Sequence, residues 1–424
     1  MAEKTDRQIE RNEQLYQLTT LVAGKFSLQE VLDKLAEAAV KITGVKACSI
    51  RLMDEENGDL KMRSTYGLRE EYRNKGVVSK NDTVVKAAFA GEAVVLDDIR
   101  VDDRVKYKEA TIKEGLVSQL TVAMQFRDKA IGVLRLYSPE PKHFDEDDIS
   151  LARVVASQCA VAITNARLYA EAIEGARIAE QMRLAGVIQR RMIPQKAPLI
   201  QNLDISAIYI PCFDVGGDFY DFIQLSDHSI AVVIADVIGK GIPAAIMMSW
   251  FRGAVRAYAD IECSGEAIQE IVSKLNKMAC GECRDGEFIT LFYAIIDVKD
   301  MTMTYCNCGH EPTVFVRDSK VMNLEKGGLV LGVQKQAKYE VETVKLKDSD
   351  CLLFYTDGLI DAANFDGEFW GRQRLLKGAA EFIDDSAERM IKNILACRRR
   401  FSGLARQIDD TSIIVVKVRK STGA

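Results

Sequence analysis

Apolar and polar positions alternate along four short stretches in the first third of the chain: KACSIRLMD (46–54), DLKMRSTYG (59–67), SQLTVAMQF (118–126) and AIGVLRLYS (130–138). A period of two places one face of each segment in a core and the other towards a different environment, so these predict half-buried strands. RQIERNEQLYQLTTLVAGKF (7–26) and LQEVLDKLAEAAVKIT (28–43) repeat their apolar residues every three or four positions, which predicts helices. Arg127, Asp128 and Lys129 form a tight connection between the last two strands. The sum is an antiparallel sheet with helices packed on it.

From Asp145 to Met192 there is no proline, and DEDDIS offers acidic capping residues, so one long helix is expected. At 1.5 Å per residue it would reach about 70 Å. Val154, Val161 and Leu168 are spaced by sevens, as are Ile178, Ala185 and Met192, with the repeat broken near Gly175. Such a stripe pairs two subunits as a coiled coil, or lies on its own domain. A phase shift in a helix between domains is also a place to store two registers. Pro194, Pro198 and Pro211 then mark a change of architecture. The expected domains are residues 1–144, a linking helix over 145–193, and 194–424.

Composition narrows the class. With 424 residues, 48% hydrophobic and 28% charged, the chain has material for two or three cores. The formal charge of -5, without a long block of like charge, points to neither nucleic acid nor an anionic membrane as partner. The opening MAEKTDRQIERNEQ lacks the apolar run of a signal peptide, and a cytoplasmic location is expected. Ten cysteines are expected as thiols.

Beyond Pro194, acidic residues fall where apolar strands end. Asp218 follows two glycines in DVGGDFYDF, Asp236 closes SIAVVIAD, Asp357 follows CLLFYT, and Asp409 precedes DTSIIVVKV. A carboxylate at the end of a buried strand is unfavourable unless a cation compensates it. Hard cations such as Mg²⁺ and Mn²⁺ take oxygen ligands, whereas zinc would favour histidine and cysteine. The three histidines, His143, His228 and His310, are scattered. Cys280, Cys283, Cys306 and Cys308 form CxxC and CxC pairs that a hairpin would bring together, but small strand residues explain the last two better than a zinc module. No Cys-x5-Arg phosphate cradle is present.

Two resemblances extend this reading. Residues 7–192, through their element order and AIGVLRLYSPEPKHFDEDDISLARVVASQCAVAITNARLY, resemble a GAF domain followed by a signalling helix. GGDFYDF, ADVIGKGIPAA, FITLFYA, NCGHEP, LEKGGLVLGV, YTDGLIDAAN and DDTSIIVV occur in the order found in the SpoIIE/RsbU branch of the metal-dependent (PPM) protein phosphatases, which the region 185–418 resembles. The resemblances imply an α+β protein: a GAF antiparallel sheet with helices, a long linking helix, and a C-terminal α-β-β-α sandwich. They imply a small-molecule or protein input at the GAF domain, a homodimer through residues 145–193, and a phosphorylated anti-anti-sigma (STAS-type) protein as substrate. The cyclic-nucleotide signature of some GAF domains is missing.

Carried over residue by residue, the phosphatase resemblance assigns two Mn²⁺ or Mg²⁺ ions to Asp218, Asp236, the Val237 carbonyl, Asp357 and Asp409, with Asp236 bridging and Asp410 an alternative to Asp409. The first four aspartates are the catalytic set, because a water held between two metals attacks phosphorus without a protein nucleophile. The branch usually has glutamate at Asp361 and alanines at Cys306 and Cys308; these departures are expected to lie off the ligands. Lys240 reads as an exposed loop lysine more readily than as a phosphate contact, and His310 as a turn residue more readily than as a general acid. Two rival functions are a nucleotide cyclase, since GGDFYD resembles a cyclase hairpin, and a catalytically weak scaffold that binds a phosphoprotein.

Overall fold

The computed structural model describes residues 27–54, 56–259 and 268–419. The helix expected over 7–26 lies outside the described residues. The chain separates into two compact units, divided between Ile178 and Ala179.

The first unit opens with α1 (Leu28–Thr43), whose start is fixed by a capping box: the Ser27 hydroxyl accepts from the Glu30 amide, and the Glu30 carboxylate accepts from the Ser27 amide at 2.8 Å. Strands β1 (Ala47–Met53), β2 (Asp59–Tyr66), β3 (Val78–Ser79), β4 (Val94–Leu96), β5 (Ser118–Phe126) and β6 (Lys129–Ser138) form one antiparallel sheet in the order β3-β2-β1-β6-β5-β4. The β5 expectation matches residue for residue. The β5–β6 turn is tighter than expected, because Lys129 already pairs with Phe126 and Arg127 takes a positive φ of 54°. Between β2 and β5, a segment with short helices at Glu70–Arg73, Thr83–Phe89 and Lys108–Lys113 crosses the sheet.

One face of this sheet is apolar. Cys48, Ile50 and Leu52 of β1, Leu120, Val122 and Met124 of β5, and Leu134 and Leu136 of β6 pack under α1 and the start of α2 (Glu146–Met192). Cys48 and Cys159 are buried in that core as thiols. The long helix therefore forms as its proline-free, acid-capped sequence requires. One 18-residue stretch of it is apolar enough to cross a membrane by composition, but Ala152, Val155, Ala156, Ala160 and Ile163 are buried in the core. Val154, Leu168 and Ile178 of the seven-residue pattern are exposed.

The second unit is a four-layer sandwich. Strands β7 (Leu203–Ile210), β8 (Phe219–Gln224) and β9 (Ser229–Val237) are followed by α3 (Ile242–Ala259), α4 (Ile268–Glu282), β10 (Ile289–Asp297), β11 (Thr302–Cys308), β12 (Thr313–Arg317), β13 (Lys320–Leu324), β14 (Gly327–Gly328), β15 (Glu342–Lys345) and β16 (Cys351–Tyr355). Helices α5 (Gly371–Glu381) and α6 (Ala387–Ser402) and strand β17 (Thr411–Val418) complete it. One sheet runs β14-β11-β10-β9-β8 with β15 added beside β11; the other runs β13-β12-β16-β17-β7.

Alternation along β16 and β17 explains the layering. Leu352, Phe354, Ile414 and Val416 point between the sheets, where Phe354 meets Phe292 edge-on at 5.4 Å. Leu353, Tyr355, Ile413 and Val415 point the other way, against α5 and α6. The expected hairpin of β10 and β11 forms, and Cys306 and Cys308 are buried core residues of β11.

Candidate active site

Two strand pairings bring the four expected aspartates to one end of the sandwich. In the first sheet, Phe219 at the start of β8 lies opposite Ala235 near the end of β9, so Asp218 and Asp236 are neighbours across the pair. In the second, Tyr355 at the end of β16 lies opposite Ile413 near the start of β17, which sets Asp357 beside the Asp409-Asp410 loop. Asp357 itself opens a short 3-10 turn, Asp357–Leu359.

Hydrogen bonds hold the acids in unequal ways. Asp218 is buried, and its Oδ2 accepts from the Thr356 hydroxyl at 2.6 Å and the Ser412 hydroxyl at 3.0 Å. Thr356 directly follows β16 and Ser412 lies on β17, so the second sheet orients a carboxylate of the first. Asp410 is a clamp: its two oxygens accept from the Cys212 amide at 2.7 Å and the Gly217 amide at 2.8 Å. Asp409 instead pairs with Lys240 at 2.9 Å, and the Lys240 ammonium also donates to the Ile408 carbonyl. Lys240 is thus tied to one of the expected ligands, which the exposed-loop reading did not foresee.

Two glycines are required by close approach. A Cβ on Gly217 would stand 2.5 Å from the Val237 carbonyl oxygen, and one on Gly358 would stand 1.8 Å from the Asp410 carbonyl. The loops carrying Asp218 and Asp357 can only lie where they do without a side chain at these points.

The electrostatics are those of acids pressed together. Burial, then the Asp236 charge, raises Asp218 well above the usual carboxylate range. Burial and Asp357 push Asp236 up to about 7; burial and Asp409 push Asp357 up to about 6. Asp361 and Glu311 add to the negative field at Asp357. That corrects the expectation that Asp361 lies off the ligands: its amide donates to the Asp357 carbonyl at 2.9 Å, and its charge faces Asp357.

The donor set suits a hard cation, since it is all oxygen, mutually repelling, and already pairs with an ammonium at Asp409. Among the described residues no three Asp, Glu, His or Cys side chains already point at a common centre, so the acids are neighbours in pairs. His310 is held as a neutral imidazole rather than a charged acid. It is buried, its Nδ1 is 2.7 Å from the Thr290 hydroxyl, burial lowers its pKa to about 4, and Asn307 exchanges two hydrogen bonds with its backbone.

Sequence reasoning missed Gln189 in the last turns of α2. Its carboxamide donates to the Gly216 carbonyl at 2.7 Å and accepts from the Gly216 amide at 3.0 Å. Gly186, one turn earlier, would place a Cβ 2.0 Å from the Asp214 carbonyl. The helix end is thereby locked to the loop that delivers Asp218. A lone glutamine in a polar helix carries no signal in the sequence.

Comparisons with known proteins agree with this geometry. Residues 226–419 match the model of the Stage II sporulation protein E (SpoIIE) family, and residues 27–164 match that of the GAF domain. The chain is 31% identical over 245 residues to the phosphoserine phosphatase RsbU of Bacillus subtilis, covering 57% of this chain and 71% of that protein. Protein IcfG of Synechocystis is 32% identical over 216 residues, covering 45% of this chain but 34% of IcfG. The PP2C domain of SiaA from Pseudomonas aeruginosa shares the fold at a TM-score of 0.53 and 18% identity, over 57% of this chain and 98% of that domain.

Fold, site and relatives together define a PP2C-type phosphatase unit joined to a GAF unit. The chain belongs to the SpoIIE/RsbU family, and so to the metal-dependent serine/threonine phosphatases.

Proposed function

We propose that this chain is a cytoplasmic, sensor-regulated protein phosphatase that removes phosphate from serine or threonine of an anti-anti-sigma (STAS-type) regulator. Asp218, Asp236, the Val237 carbonyl, Asp357 and Asp409 would hold two Mn²⁺ or Mg²⁺ ions. The observation that carries this reading is the group of mutually repelling carboxylates at the ends of paired strands, Asp218 buried and Asp236, Asp357 and Asp409 partly so. Leaving such a group without a cation would be a pure cost to folding. Asp409 is favoured over Asp410 as ligand because both Asp410 oxygens are taken by backbone amides. The name of the Bacillus subtilis relative, a phosphoserine phosphatase, supports the substrate class.

When bound, the ions would acidify a water and neutralise charge developing on the phosphoryl group. The protein's own residues do the positioning. Thr356 and Ser412 aim Asp218, Gly217 leaves the Val237 carbonyl accessible, and Asp410 ties the loop before Asp218 to the loop before β17. Control would enter through α2, because Gln189 links that helix to the Asp218 loop. A small molecule or protein at the GAF unit would bias two settings of the helix. The exposed Val154, Leu168 and Ile178 favour a homodimer through residues 145–193.

Calorimetric titration with Mn²⁺ tests the metal assignment. Two equivalents per chain are expected for the parent, with loss of binding in Asp236→Asn, whereas Asp410→Asn, which loosens the loop before Asp218 without removing a ligand, keeps two equivalents at weaker affinity. A single site untouched by Asp236→Asn would defeat it.

A further inference from the structure

The sheet of the first unit has two unlike faces. Opposite the apolar face described above, the intervening positions are Ser49 and Arg51 of β1, Gln119 and Thr121 of β5, and Arg135 and Tyr137 of β6. All six are buried: Arg51 is 1% exposed and Arg135 7%. Arg135 stands across from Ser49 on one side and Thr121 on the other, while Arg51 stands across from Val133. The two arginines are therefore diagonal neighbours on one face, covered by the crossing segment with Tyr72, Val78, Val84 and Leu96.

Among the described residues their charges are only partly matched. Arg51 Nη1 donates to the Leu60 carbonyl at 3.3 Å, but its Nε and Nη2 have no hydrogen-bond partner. Arg135 Nε has none either. The carboxylate nearest Arg135 is Asp82, at 4.0 Å, and that oxygen already accepts the Val84 amide at 3.2 Å as a helix cap. A third basic side chain, Lys75, sits with Nζ 3.3 Å from the centre of the Tyr72 ring; burial together with the two guanidiniums lowers its pKa to about 6, so near neutral pH it is largely an uncharged amine that a bound anion would recharge. Glu114, the other buried acid of this region, is committed to Arg69, accepting from its amide at 2.8 Å and its Nε at 3.1 Å. Two guanidiniums and the Lys75 amine thus face one half-engaged carboxylate.

A narrow cavity opens among them, lined by Lys75, Asp82, Tyr107, Gln119 and Arg135. Like charges side by side in a core, with donors unpaired, are unfavourable unless something compensates them. The guanidinium fork suits the paired oxygens of a carboxylate or phosphate group. We propose that this cavity is an oxyanion site: it takes the carboxylate or phosphoryl group of a small molecule between Arg135 and Lys75, with Arg51 behind them supplying further positive charge. Binding itself is independent of the phosphatase unit. That the anion is the regulatory input rests on the function proposed above.

The test is isothermal titration of the full chain at fixed ionic strength with sodium formate, sodium succinate or sodium phosphate, with sodium chloride as control. EDTA is present throughout, and Asp236→Asn is run in parallel, so that phosphate held at the aspartate site is not counted. One saturable equivalent is expected for at least one oxyanion and none for chloride. Response to the carboxylates alone identifies a planar ligand group, and response to phosphate alone a tetrahedral one. Arg135→Met should weaken it by roughly tenfold or more, in line with loss of a charge-assisted pair, and Arg51→Met by a smaller factor through loss of positive charge behind the site. Asp236→Asn should leave it unchanged. Circular dichroism checks that the arginine variants fold; if they do not, Lys75→Met at the half-exposed rim takes their place with the loss expected of Arg135→Met. No oxyanion binding above chloride, or binding undiminished in the folded variants, overturns the site. Binding that stands while phosphate release ignores the anion keeps the site and removes only its regulatory role.

Discussion

Gln189 and Gly216 exchange two hydrogen bonds, so the last turns of α2 and the loop that presents Asp218 are held as one piece. Gln189→Leu keeps the volume but leaves a buried amide and a buried carbonyl unpaired. The expected loss is about 1–3 kcal/mol of stability in the second unit, by the usual penalty for orphaned polar groups. If the helix sets the metal site, the Mn²⁺ concentration for half-maximal phosphate release also rises. Loss of stability with an unmoved metal requirement would make Gln189 a packing residue only.

Thr356 and Ser412 hold Asp218 from the opposite sheet. Thr356→Val removes one hydroxyl at nearly constant shape. Residues that orient a ligand commonly change metal affinity or activity by about 10–100-fold. The variant should therefore need more Mn²⁺ and recover part of its rate when metal is raised. A kcat loss that excess metal does not touch would place Thr356 in another role.

Asp221 is fully buried and paired with Arg252 at 2.9 Å and with Nε and Nη2 of Arg256 at 2.7 Å, linking β8 to α3. Asp221→Ala takes the carboxylate from the largely buried Arg252, and breaking a buried pair typically costs about 3–5 kcal/mol. Denaturant unfolding should show that loss, whereas Asp227→Ala on the exposed loop before β9 should fall within about 0.5 kcal/mol of the parent.

Much of this architecture was legible because its elements are long and periodic. The alternation in 118–126 and the three- and four-residue spacing in 28–43 gave β5 and α1 at their observed bounds. The stretch between β2 and β5 was not legible: its helices are of four to seven residues and its strands of two or three, too short for a period to show. The aspartates stood out because each sits at the edge of an apolar run. Their supports did not, since Thr356 and Ser412 lie 138 and 194 residues from Asp218 and only the pairing of the sheets joins them. Arg51 and Arg135 were hidden for another reason. Polar residues at alternate strand positions read as a solvated face, and here a crossing segment covers it.

Regulation makes a separate demand. A chain beginning at Pro194 lacks Gln189, so its phosphate release at limiting Mn²⁺ should differ from that of the full chain. Equal rates would mean that α2 does not govern the site.

The most direct test of the central claim is metal-dependent release of phosphate from a phosphoserine protein by the purified chain. Release that requires Mn²⁺ or Mg²⁺, stops with EDTA, and is abolished by Asp236→Asn and by Asp357→Asn is the predicted result. Turnover by those two variants at the parent's rate would contradict it.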